Sequence, residues 1–110
     1  MIPMSTDVLV VLCAFPSAGD AAEKAAHQIV SEHLAACVNI LPGVLSVYRW
    51  KGVVQKDDEK LMVIKTTTDR FAALKVRLIE LHSYDTPEVI ALEVLQGHIP
   101  YLDWVADSVR

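Results

Sequence analysis

Two cysteines among 110 residues, Cys13 and Cys37, are too few and too far apart to make a disulfide framework. No Cys-x-x-Cys and no His-Glu-x-x-His spacing occurs, so the commonest zinc-site patterns are missing. Positive charge is also in short supply. Lys and Arg number 10 against 14 Asp and Glu, a net charge of -4, which argues against electrostatic binding to nucleic acid or acidic lipid. The longest apolar run, Val8 to Pro16, falls far short of the ~20 residues that span a bilayer. The opening Met1-Ile2-Pro3-Met4-Ser5-Thr6-Asp7 has no basic stretch of the kind a secretory signal carries. Repeats, linkers and low-complexity tracts are missing too. These absences leave a single soluble domain over residues 1–110, expected in the cytoplasm, without nucleic-acid or membrane partners.

Apolar residues make up 53% of the chain, a little above the ~45–50% usual for soluble domains. The surplus suggests an extra buried face, which in a small protein points to an interface between copies. Val8 to Phe15 is apolar at every position, the pattern of a strand covered on both sides. Pro16-Ser17-Ala18-Gly19-Asp20 breaks it, and the spacing of Ala22, Ala25, Ala26, Ile29, Val30 and Leu34 predicts an amphipathic helix with a narrow face. Cys37 to Leu41 starts a second strand, Pro42-Gly43 reads as a bulge, and the strand resumes from Val44 to Trp50. Lys51-Gly52 with the polar Gln55 to Glu59 predicts a hairpin tip, and Leu61 to Thr66 a third strand. Thr68-Asp69 should cap a second helix carrying Phe71, Leu74, Leu78 and Leu81. Glu88 to Gln96 reads as a fourth strand. Gly97 ends it, and Pro100 suits the first turn of a short C-terminal helix with Tyr101, Leu102, Trp104 and Val105.

The order βαββαβ plus a terminal helix is the ferredoxin-like α+β plan, with an antiparallel sheet and a long hairpin between the second and third strands. Its helices lie on one face. The other face is apolar here and needs a cover, for which other subunits are the simplest candidate.

That topology sends the end of the first strand, the hairpin tip and the turn His82-Ser83-Tyr84-Asp85-Thr86-Pro87-Glu88 to one end of the sheet. The turn reads either as an ordinary helix-to-strand connection or as a site. Thiolate and imidazole both suit copper or zinc, so Cys13 and His82 are candidate metal ligands, though a strand cysteine is commonly a buried small hydrophobe. A Cys/His nucleophile is the enzymatic version, with Asp85 or Glu88 orienting His82 and the Ala18-Gly19-Asp20 amides at the helix start. No known nucleophile motif accompanies it, and the expectation is a non-enzyme. His27 and His98 read as exposed. His33 falls on the apolar stripe and reads as an oligomer contact or as reaching past the helix end. Tyr48, Trp50 and Tyr84, with Glu59, Lys65 and Glu88 as charge partners, either pack a face or line a pocket between subunits.

Leu34-Ala35-Ala36-Cys37-Val38-Asn39-Ile40, Pro42-Gly43, Ser46, Tyr48-Arg49-Trp50-Lys51-Gly52, Glu59, Lys65-Thr66, His82, Tyr84, Pro87-Glu88, Gly97, Tyr101-Leu102 and Trp104 follow in an order and spacing that resemble the CutA family. The resemblance implies a cytoplasmic homotrimer similar in architecture to PII signalling proteins, acting in divalent-cation tolerance and associated with copper. The copper-site pattern it implies is a cysteine late in the first strand and two adjacent histidines ending the second helix. Cys13 and His82 match, whereas Leu81 stands at the first histidine and Ser83 at the usual proline. Copper is therefore expected to bind weakly through Cys13 and His82. The alternative is a PII-like module holding a small polar or anionic ligand between subunits, with Arg49, Lys65 and Tyr84 facing one cleft. A trimeric scaffold that docks other proteins is a third reading.

Overall fold

Strand β1, Val8–Pro16, is the central element, and its alternating side chains feed two different cores. In the computed structural model, which describes residues 6–110, Leu9, Val11, Cys13 and Phe15 point to one face. There they meet Ala22, Ala25 and Ile29 of helix α1 (Ala21–Ser31) and Leu74 and Leu78 of helix α2 (Phe71–Leu81). Strand β3, Val53–Thr67, pairs antiparallel with β1 and adds Met62 and Ile64 to that core. Strand β2, Cys37–Trp50, flanks β3, and the short β4, Ile90–Glu93, flanks β1, giving the order β2-β3-β1-β4. This is the ferredoxin-like arrangement expected from the element order. The reading of Met1 to Ser5 as free of a signal lies outside the described residues. Among those residues no helix is long and apolar enough to cross a membrane.

The second face is partly covered from within the chain. Helix α3, Ile99–Ser108, packs Leu102 and Val105 with Val109 against Val8 and Ala36. Cover by other subunits is thus unnecessary at that end of the sheet. Beyond it the face stays apolar and open. Ile90 and Leu92 opposite Leu12 and Val10, and Leu41 on β2, are half-buried or exposed.

Several elements differ from expectation, each for a local reason. The hairpin tip is only Lys51-Gly52, both at positive φ (50° and 81°), the mirror-image turn that suits a two-residue hairpin. Gln55 to Glu59 belong to β3 and pair with Tyr48 to Val44. They look like a loop in sequence because the hairpin there has outrun the other strands, so neither side need be apolar. The expected bulge is present as a register shift between Leu41 and Val44, where Gly43 takes φ 73°. Helix α1 ends three residues before Leu34, with His33 at φ 61°, and Val30 is exposed, so the buried stripe is only Ala22, Ala25 and Ile29. His33 lies off the helix and its Nδ1 is 3.0 Å from the Arg110 carbonyl oxygen. Thr68-Asp69 does not cap α2, whose N-cap is Arg70 with no side-chain bond; Asp69 instead accepts from Thr67 Oγ1. Strand β4 is shorter than Glu88 to Gln96.

Candidate functional site

β1 and α2 both end at the top of the sheet, and the β2–β3 hairpin runs past them; Pro16 still pairs with Glu59, leaving six more β3 residues, 53–58, projecting beyond. The His82–Glu88 segment leaves α2 beside this projection. His82 is the hinge between them. Its ring stacks on Phe15 with centroids 4.2 Å apart and planes 28° from parallel. Nε2 lies 2.6 Å from the Ala14 carbonyl oxygen, and Nδ1 lies 3.2 Å from the Tyr84 backbone nitrogen. A carbonyl can only accept, so Nε2 carries the proton, and Nδ1 accepts the Tyr84 N–H. Both ring nitrogens of the neutral imidazole are thereby used.

Those bonds set the path of the turn. Tyr84 leans on the His82 ring, 4.6 Å between centroids, and its hydroxyl donates to Glu59 Oε2 at 2.9 Å. Burial, and then the bond to Glu59, push the Tyr84 phenol well above its ordinary range. On the hairpin the Tyr48 hydroxyl donates to Asp57, which raises that phenol too. Between hairpin and turn lies a cavity of about 640 Å³, lined by Tyr48, Trp50, Glu59, Tyr84, Asp85 and Glu88 among others.

Five of the six residues expected to share a pocket therefore do so. Lys65 does not. It pairs with Cys37 near the opposite end of β3 and donates to Asn39. Arg49 points to the Gly52 carbonyl at the tip, so no Lys or Arg lines the cavity. Asp85 joins the lining although reading the sequence gave it a place only as an orienting group; its position within the turn is the signal that pointed there.

Cys13 faces the other way. It is fully buried in the helix-side core, and burial, then the charges of Glu88 and Glu59, push its thiol up to about 12. Such a thiol is neither a ready nucleophile nor a ready ligand. No Asp or Glu side chain orients His82, which the backbone of Ala14 and Tyr84 holds instead. Among the described residues no three His, Cys, Asp or Glu side chains group closely enough to hold a metal ion. The donor set does not fit a tight copper or zinc site in this arrangement. The second cysteine, Cys37, lies 3.5 Å from the Tyr101 hydroxyl, and that contact, with burial, raises the Tyr101 phenol to about 12.

Residues 9–108 match the family model of the CutA1 divalent ion tolerance protein. The chain belongs to the CutA family. Its similarity is spread along the whole fold. The divalent-cation tolerance protein CutA of Thermus thermophilus is 48% identical over 99 residues, covering 90% of this chain and 95% of that protein. A solved structure of the divalent cation tolerance protein from Thermus thermophilus has a TM-score of 0.90 at 45% identity, over 94% of this chain and 99% of that one. A structure described as PII-like protein CutA from Nostoc sp. PCC 7120 follows the same path, with a TM-score of 0.86 at 35% identity, over 93% and 97% of the two chains. The CutA-family resemblance seen in the ordered residues of the sequence is thus confirmed.

Proposed function

We propose that this CutA-family chain serves divalent-cation tolerance as a non-enzymatic binding protein, working through ligand recognition in the top cleft more than through storage of metal. The cleft carries this reading, because five residues from two distant segments, Tyr48, Trp50, Glu59, Tyr84 and Glu88, line one cavity. Its likeness in fold to a relative described as PII-like favours a regulatory role in the same direction. Cys13 and His82 supply the weaker contact to copper. To ligate, Cys13 must lose a proton inside an apolar core, and His82 must give up Ala14 or Tyr84. Titration of the purified protein with copper is expected to saturate only at metal well above stoichiometric amounts. Cys13→Ser and His82→Ala should each abolish the signal; unchanged binding in both variants overturns the assignment.

We also propose a cytoplasmic homotrimer joined through the hairpin strands. Leu45, Val47, Val53 and Val54 are each more than half exposed, and Tyr48 and Trp50 flank them, an apolar surface too large for a monomer to leave in water. The cleft would then lie at the seam between copies. Sedimentation equilibrium is expected to return three times the chain mass, and a monomer at micromolar concentration contradicts the assembly.

A further inference from the structure

The cleft's lining is uneven in charge, and that selects its ligand. Glu59, Asp85 and Glu88 contribute carboxylates, and no Lys or Arg of this chain is among the lining residues. Glu59 is only 8% exposed, yet just one of its oxygens is bonded, to the Tyr84 hydroxyl. Its Oε1 has no hydrogen-bond partner among the described residues. No buried side-chain polar atom among them lacks a partner, so Oε1 is open to the cavity that Glu59 lines. A side chain that is itself mostly buried yet turns one free carboxylate oxygen to the cavity calls for a positively charged donor.

Size and spacing separate two kinds of cation. A bare divalent ion needs several donors converging within about 2.0–2.6 Å of one point, and no such group of three exists among the described residues. The carboxylates are instead spread around a cavity of about 640 Å³, room for a molecule rather than an ion. Tyr48, Trp50 and Tyr84 provide aromatic faces between them, which attract ammonium groups and cover methylene chains. Trp50 already draws one cation, since Lys51 Nζ sits 5.9 Å over its ring.

We propose that the cleft binds a small organic polycation, an alkyl chain carrying two or more ammonium groups, with one ammonium bonded to Glu59 Oε1. This rests on the reading of the cleft as the ligand end of the molecule, and it replaces the anionic ligand of the regulatory alternative.

Spermidine and putrescine are suitable probes, followed by calorimetry and by the indole signal of Trp50 in NMR on the intact chain. Spermidine should bind, more tightly than putrescine, and weaken as salt is raised. Glu59→Gln keeps an oxygen for the Tyr84 hydroxyl but removes the charge, and should lower affinity about tenfold or more. Asp85→Asn, on the exposed turn, should lower it less and leave thermal stability unchanged. Absence of spermidine binding to the folded protein, equal binding by both variants, or preference for citrate over spermidine overturns the proposal. If spermidine fails while citrate still moves the Trp50 signal, the cleft stands as a ligand site and only the polycation falls. If neither moves it, the ligand-end reading falls as well.

Discussion

Truncating Phe15 to alanine is expected to cost the fold about 3–5 kcal/mol, the range for removing a fully buried aromatic ring and leaving a cavity. Phe15 is 0% exposed and sits where the helix-side core meets the top of the sheet. Because His82 stacks on it, the loss should reach the cleft as well. Without the ring beneath it, His82 has less to fix its plane, and the Tyr84 bond to Glu59 loses its support. Urea unfolding at fixed protein concentration reads the first effect; the concentration must be fixed because assembly adds to apparent stability. A double-mutant cycle with His82→Ala reads the second, with a coupling of about 0.5–1.5 kcal/mol for a packed aromatic pair. Strict additivity of the two substitutions would show that the stack does not link core to turn.

Cys13 should behave as a sealed thiol. At pH 8 a group titrating near 12 is ionised in about one molecule in ten thousand, so a thiolate-specific reagent should find Cys37 in the native protein and both cysteines only after unfolding. The same shift makes alkaline stability depend on Cys13. Its folded value, about 12, lies above the ordinary 9.0, so between these the native state holds a proton that the unfolded chain has released. The contribution is fully present below pH 9 and falls by about 1.4 kcal/mol per pH unit as pH rises toward 12. Tyr84 and Tyr101 are raised as well and act in the same direction above 10. Cys13→Ala should therefore flatten the fall between pH 9 and 11 without removing it. An equally steep fall in the variant, or rapid native labelling of Cys13, contradicts the burial argument.

Much of the fold was readable because burial imposes period on sequence. The continuous apolar run Val8 to Phe15 marks a strand with cores on both faces, and both cores exist, one of them supplied by α3. Helical spacing of Leu74 and Leu78 and the Pro42-Gly43 break in β2 were equally legible. Where burial stops, the signal stops. Gln55 to Glu59 form a strand held by main-chain pairing and by the polar bonds of Asp57 and Glu59 to Tyr48 and Tyr84, without an apolar alternation, so their side chains read as a loop. Val30 looks apolar in sequence yet faces solvent, because composition says little about which edge of a narrow stripe packs.

The candidate site was half legible. Topology brings Cys13, His82 and the hairpin to one end, as the element order implies. It does not say that Cys13 and Glu59 lie on opposite faces of the sheet, although their places in the β1–β3 register decide it: Cys13 pairs with Met62 of the core, while Glu59 pairs with Pro16 and opens to the cleft. Nor could composition reveal that backbone groups of Ala14 and Tyr84 occupy His82. Lys65 carries the right charge for an anion pocket but sits six residues further along β3 than Glu59, near the far end of the sheet.

His82 acts as a structural latch, occupied on both nitrogens, at the edge of the cleft proposed as the ligand end. Nitrogen-15 shifts of the His82 ring at neutral pH, with and without one equivalent of copper at micromolar protein, address it directly. A single neutral tautomer with the proton on Nε2 is expected, with the same signals after copper is added. A proton on Nδ1, or loss of the His82 signals at one equivalent, contradicts it and returns the function to a Cys13–His82 metal site.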